Sequence, residues 1–177
     1  MRAMGGVEMD KELSRILDET IQLELNVADL YLSFSHAFSE DKDFWSQLAV
    51  EERNHAALLR SGKLESLEKG HFPAKALTTN LDALIKVNKE IKALVKEHKR
   101  KSPSRASAFE IAIKVEESTG EIDFSCFMEQ VADSLALKLF SRVNSEDKDH
   151  ARRLRDYMRE KGIGIPGTIS EAQDNIG

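Results

Sequence analysis

Residues that break secondary structure are scarce in this chain, and that scarcity constrains the fold more than any other feature. Its 177 residues include three prolines and nine glycines, most near the ends or in the stretch around Gly70 to Pro73. A sheet protein needs a turn signal roughly every ten residues, so long uninterrupted segments point to helices.

Five segments carry helical periodicity. The first, from about Asp10 to Phe38, sets Leu13, Leu17, Ile21, Ala28, Tyr31 and Phe38 near one face. The second, from about Asp41 to Lys69, has Phe44, Leu48, Leu59 and Gly62 on its inner side. The short polar link between them predicts antiparallel neighbours. A weaker segment from about Thr79 to Lys99 follows Gly70-His71-Phe72-Pro73. Ser102-Pro103 reads as an N-cap with proline at the first helical position. The third long helix is expected from there to about Asp133, and the fourth from about Ser134 to Lys161, stopped by Gly162. The expected architecture is all-α: an antiparallel four-helix bundle over residues 10–161, with a crossover at about 70–102 that carries an extra helix. Residues 1–9 read as a flexible N-terminus and 162–177 as an irregular tail.

Composition narrows the partners. Hydrophobic residues at 41% and charged residues at 32% describe a globular chain with a core. No apolar run approaches the roughly 18 residues that cross a bilayer, and the N-terminus lacks an apolar signal segment. A net charge of -5 argues against nucleic acid. Cys126 is the single cysteine, so an intrachain disulfide and a CxxC metal site are both excluded. These features predict a soluble, cytoplasmic protein without membrane or nucleic-acid partners.

The chemistry lies where polar residues interrupt apolar faces. Glu24 falls within the stripe of Leu17, Ile21, Ala28 and Tyr31 on the first helix. A carboxylate buried there alone would cost several kcal/mol, roughly, or stay protonated. On the second helix Glu52 and His55 are three apart and share the face of Leu48 and Leu59. Asp147 and His150 repeat that spacing on the fourth, flanked by Val143 and Leu154. Glu51 and Glu146 turn about 100° away from those faces, which leaves them exposed or in place to support a ligand from behind. On the third helix Glu116 falls nearer Phe109, Ala112 and Ile113, with Glu117 as the alternative on a polar flank. TIQLE, ending at Glu24, and AIKVE, ending at Glu116, read like copies in the two halves. Four carboxylates and two imidazoles can neutralise and bridge two divalent cations.

ELNVADLY, EERNHA, AIKVEE and EDKDHA together resemble the rubrerythrin branch of the ferritin-like di-iron superfamily. The resemblance covers the four long helices, about Asp10 to Lys161 less the crossover. It implies two iron ions, with manganese or zinc as substitutes, held by Glu24, Glu52, His55, Glu116, Asp147 and His150. It implies that Tyr31 donates a hydrogen bond to a ligand carboxylate. The implied activity is reduction of hydrogen peroxide or dioxygen in a homodimer. Three departures stand out. The chain has no CxxC pairs of a rubredoxin domain, so either electrons come from a separate donor such as a rubredoxin or redox turnover is not its task. Asp147 replaces a glutamate and reaches one methylene less. Thr119 stands where rubrerythrins carry a further glutamate. Competing readings are a ferroxidase or iron-handling protein, and a metal-stabilised scaffold or sensor.

Other features read as structural. Trp45 anchors the start of the second helix, and His36, His71 and His98 are surface or packing residues. Cys126 is a buried thiol, Phe124, Phe127 and Met128 are core, and Lys96, Lys99, Arg100 and Lys101 complement a helix C-terminus.

Overall fold

The structure is a computed structural model and describes residues 4–69, 81–119 and 149–164. Helices are the regular elements among them: α1 (Met4–Ala37), a 3-10 turn (Ser39–Asp41), α2 (Lys42–Lys69), α3 (Leu81–Arg100), α4 (Arg105–Thr119) and α5, helical over residues 149–160. No helix among the described residues is long and apolar enough to cross a membrane.

The first helix starts at Met4, ahead of the expected Asp10, because an established helix extends at little cost through residues that would not nucleate one. It packs against both α2 and α3. One stripe of α1 therefore could not be enough. Leu17, Ile21, Ala28 and Tyr31 are buried as expected, and so are Leu23, Asn26, Val27 and Leu30. α3, the crossover helix, contributes Leu84, Ile91 and Val95 to the core. Its register on α1 is set by a buried amide pair. Asn26 Nδ2 donates to Asn88 Oδ1 at 2.7 Å, and Asn88 Nδ2 donates to the Glu19 carbonyl and carboxylate at 2.9 and 2.8 Å. Buried amides are costly unless bonded, so a shifted register would orphan them.

The cap of α4 differs from the expected Ser102-Pro103. Ser104 is the cap: its Oγ accepts the Ser107 backbone N–H at 3.2 Å, and its carbonyl accepts Ala108 N–H. Pro103 therefore precedes the cap instead of following it, and the helix starts at Arg105, where the Ser104 hydroxyl reaches the third amide. The stop of α5 matches the expectation for Gly162. Its φ is +61°, Gly162 N–H bonds to the Arg159 carbonyl, and Ile163 N–H bonds to the Met158 carbonyl. This is a Schellman arrangement, with Ile163 packed on the core.

At the α1–α2 turn, fully buried Asp41 ties three elements together. Arg105 at the start of α4 donates to it through Nε at 2.7 Å and Nη2 at 2.6 Å, and the Tyr157 hydroxyl of α5 donates at 3.1 Å. Beside it Trp45, Phe34 and Phe109 are fully buried. Phe44 stacks on Tyr157 with centroids 4.0 Å apart. This aromatic layer fixes how α1, α2, α4 and α5 approach one another.

Candidate metal centre

Four helices bring acids and imidazoles into one buried cluster. α1 supplies Glu24, α2 supplies Glu52 and His55, α4 supplies Glu116, and α5 supplies His150. Their exposures are 7%, 2%, 0%, 4% and 1%, so all five side chains are buried. Glu52, His55 and His150 each offer a ligand atom, and these atoms lie within 4.8 Å of one another.

Glu52 occupies the middle. Its Oε2 lies 3.2 Å from His55 Nδ1, and its Oε1 lies 2.7 Å from His150 Nδ1. Beyond His55, Glu24 Oε2 approaches the same Nδ1 at 3.6 Å. Beyond His150, Glu116 Oε1 approaches that Nδ1 at 3.7 Å. The arrangement is two similar halves, each one glutamate and one histidine, joined by the two oxygens of Glu52. The imidazole rings stack at 5.3 Å, with planes 19° apart. Tyr31 Oη donates to Glu116 Oε1. Glu117 is more than half exposed and pairs with Arg155, so it does not enter the cluster. Asp147 lies outside the described residues, as do Phe124, Cys126, Phe127, Met128 and His71.

Glu51 points away from the cluster, as its helix phase predicts, and supports it from behind His150. Its Oε2 lies 3.1 Å from His150 Nε2 and accepts from Arg153 Nη1 at 2.6 Å. Burial pushes the Glu51 carboxyl up, but hydrogen bonds from Arg153 and Gln47 prevail and hold it below the usual range. An anionic Glu51 on Nε2 leaves Nδ1 facing the cluster. Carboxylate-oriented imidazoles of this kind are the usual support of a metal-binding histidine. Sequence shows that His150 and Arg153, three apart, share a helix face; that Glu51 of α2 meets that face is set by the packing of the two helices.

Electrostatics show how unbalanced the cluster is. Burial pushes Glu24 up to about 8, against the opposing hydrogen bond from His55. For His150 burial acts downward, but Glu116 and Glu52 outweigh it and raise the imidazole to about 10. The cluster alone thus relies on protons to offset its carboxylates. Even so, Glu52 Oε1 and His150 Nδ1, though 2.7 Å apart, each lack a hydrogen-bond partner of acceptable geometry. Buried polar atoms without partners cost about 1–3 kcal/mol each. Two such atoms converging from different helices fit a cation that both would ligate. The donor set of carboxylate oxygens and imidazole nitrogens, without thiolate, suits iron, manganese or zinc.

No protein-family model, curated protein or solved structure matches the chain. Its class rests on geometry: a helical protein whose buried glutamate–histidine group can hold a metal ion, compatible with a ferritin-like di-iron protein.

Proposed function

We propose that this chain forms a ferritin-like four-helix bundle that holds two iron ions and reduces hydrogen peroxide or dioxygen. The observation that carries the reading is the division of Glu52 between His55 and His150, with Glu24 and Glu116 flanking the two imidazoles. Glu24, Glu52, His55, Glu116 and His150 would hold the ions, with Glu52 placed between the two imidazoles. Bound ferrous ions would supply two electrons and Lewis acidity, enough to convert one peroxide and two protons to two waters. The chain's own part is to fix the ligands, keep bulk water out and orient His150 through Glu51. Electrons would return from a separate donor protein, and a homodimer is the proposed assembly.

The test is metal content of anaerobically purified protein, measured by elemental mass spectrometry beside a Glu52→Ala/His55→Ala control. About two irons per chain, lost in the control, is the outcome expected for a site of this type. No metal, and no uptake of added ferrous iron, would overturn the reading. Faster oxidation of the ferrous protein by peroxide than by dioxygen supports a peroxidase. The reverse preference redirects the same site to ferroxidase chemistry.

A further inference from the structure

The chain contains two tyrosines and one tryptophan, and all three lie on one aromatic path that begins at the carboxylate–histidine cluster. Tyr31, fully buried, hydrogen-bonds to Glu116 and has its ring 5.6 Å from that of Trp45. From Trp45 two routes lead to Tyr157. One runs through Phe44, with separations of 5.7 and 4.0 Å; the other runs through Phe109, at 4.4 and 5.7 Å. Tyr157 is partly exposed, and its hydroxyl donates to Asp41.

Packing alone explains an aromatic layer, since such pairs stabilise a core by about 1 kcal/mol each beyond their area. It does not explain why each phenol ends on a carboxylate while the indole Nε1 between them has no partner. That alternation has a redox meaning. A phenol bonded to a proton acceptor gives up an electron and its proton together. An indole without an acceptor keeps its proton and becomes a strongly oxidising radical cation, which passes the hole onward.

We propose that Tyr31, Trp45 and Tyr157 form a relay that carries single-electron holes from the buried cluster to the surface at Tyr157. The relay builds on the redox reading of the centre given above, with hydrogen peroxide as terminal oxidant. Each step moves one electron inward. Tyr31 yields an electron towards the centre and its phenolic proton to Glu116, leaving a neutral phenoxyl. Trp45 supplies the next electron, the proton returns from Glu116, and Tyr31 is restored. Tyr157 then reduces the Trp45 radical cation and passes its own proton to Asp41. A small one-electron reductant of the ascorbate class refills Tyr157 as Asp41 returns the proton. The relay thereby protects the buried ligands when no donor protein is docked.

The test is electron paramagnetic resonance of rapidly frozen protein, ferrous-loaded and mixed with hydrogen peroxide, with iron content measured for every variant. In the unmodified chain the radical is expected at Tyr157. Tyr157→Phe should remove that signal and displace the radical to Trp45 or Tyr31, whereas Trp45→Phe should confine it to Tyr31. Identical signals in all three proteins, or a radical at Tyr31 alone in the unmodified chain, would overturn the relay. A protein that takes up no iron would instead sink the metal reading. The relay is then decided in metal-free protein oxidised from solvent by photogenerated ruthenium(III) tris-bipyridyl. Oxidation of buried Tyr31 that requires both Tyr157 and Trp45 supports it; oxidation confined to Tyr157 refutes it. Trp45→Phe keeps an aromatic ring in the core, and surface-facing Tyr157→Phe gives a second, gentler variant should the first unfold.

Discussion

Two buried polar clusters sit among the same helices, and they are satisfied in different ways. At the α1–α2 turn, Asp41 is one carboxylate facing a guanidinium fork and a phenol, and both of its oxygens accept hydrogen bonds. Around Glu52, the carboxylates of Glu24, Glu51, Glu52 and Glu116 crowd two imidazoles, and Glu52 Oε1 and His150 Nδ1, 2.7 Å apart, make no well-aligned hydrogen bond. The Asp41 clamp is closed by the chain itself, as a bidentate arginine–carboxylate pair can be. The Glu52 cluster is closed only by something added, protons or a cation. A fold can thus stabilise itself at one polar site and hold open a demand at another.

The sharpest way to break this contrast is Glu52→Ala together with His55→Ala. Metal content should fall to background while the helical circular dichroism of the metal-free protein persists, because the change removes a buried carboxylate and the imidazole it pairs with together. If the pair unfolds the protein instead, the cluster is a structural keystone like Asp41. Arg105→Met probes the other side. It leaves a fully buried Asp41 carboxylate without its fork and should cost about 2–3 kcal/mol in denaturant unfolding, with metal content unchanged.

The third test separates the clusters by pH. Glu24 and His150 both have pKa values raised by the fold, to about 8 and about 10. A raised pKa means that the folded state holds the proton after the unfolded chain has released it. That contribution is full below the ordinary values and is lost as pH rises through the raised ones. The melting temperature of the metal-free protein should therefore fall from about pH 5 to about pH 9. Metal requires these protons to leave, so affinity should rise with pH over the same range, while the melting temperature of the loaded protein should rise only to about pH 7, above which neither the loaded nor the unfolded chain holds them. A metal-free melting temperature that is flat in pH would contradict the charge imbalance. The smallest effect is expected from Tyr31→Phe: about 1 kcal/mol of stability lost with metal content retained, since one hydrogen bond to Glu116 disappears.

Which residues face inward was legible from sequence, because helical phase is a local property. Spacings of three, four and seven residues follow from backbone geometry whatever the helix packs against. Glu24, Glu52, His55 and Glu116 could therefore be assigned to apolar faces, Glu117 to a flank, and the stop at Gly162 to a residue free to take positive φ. The boundaries were less secure, as Ser104 in place of Ser102 shows, because a cap depends on which hydroxyl reaches the third amide of the helix. Tertiary structure alone decided the rest. The second buried face of α1 exists because α3 lies on it through Asn26 and Asn88. Asp41 meets Arg105 and Tyr157, and Glu51 meets His150, across separations no local pattern encodes. The division of Glu52 is half of each kind: His55 lies three residues on along the same helix, which spacing alone predicts, whereas His150 reaches the other oxygen only because α5 packs against α2.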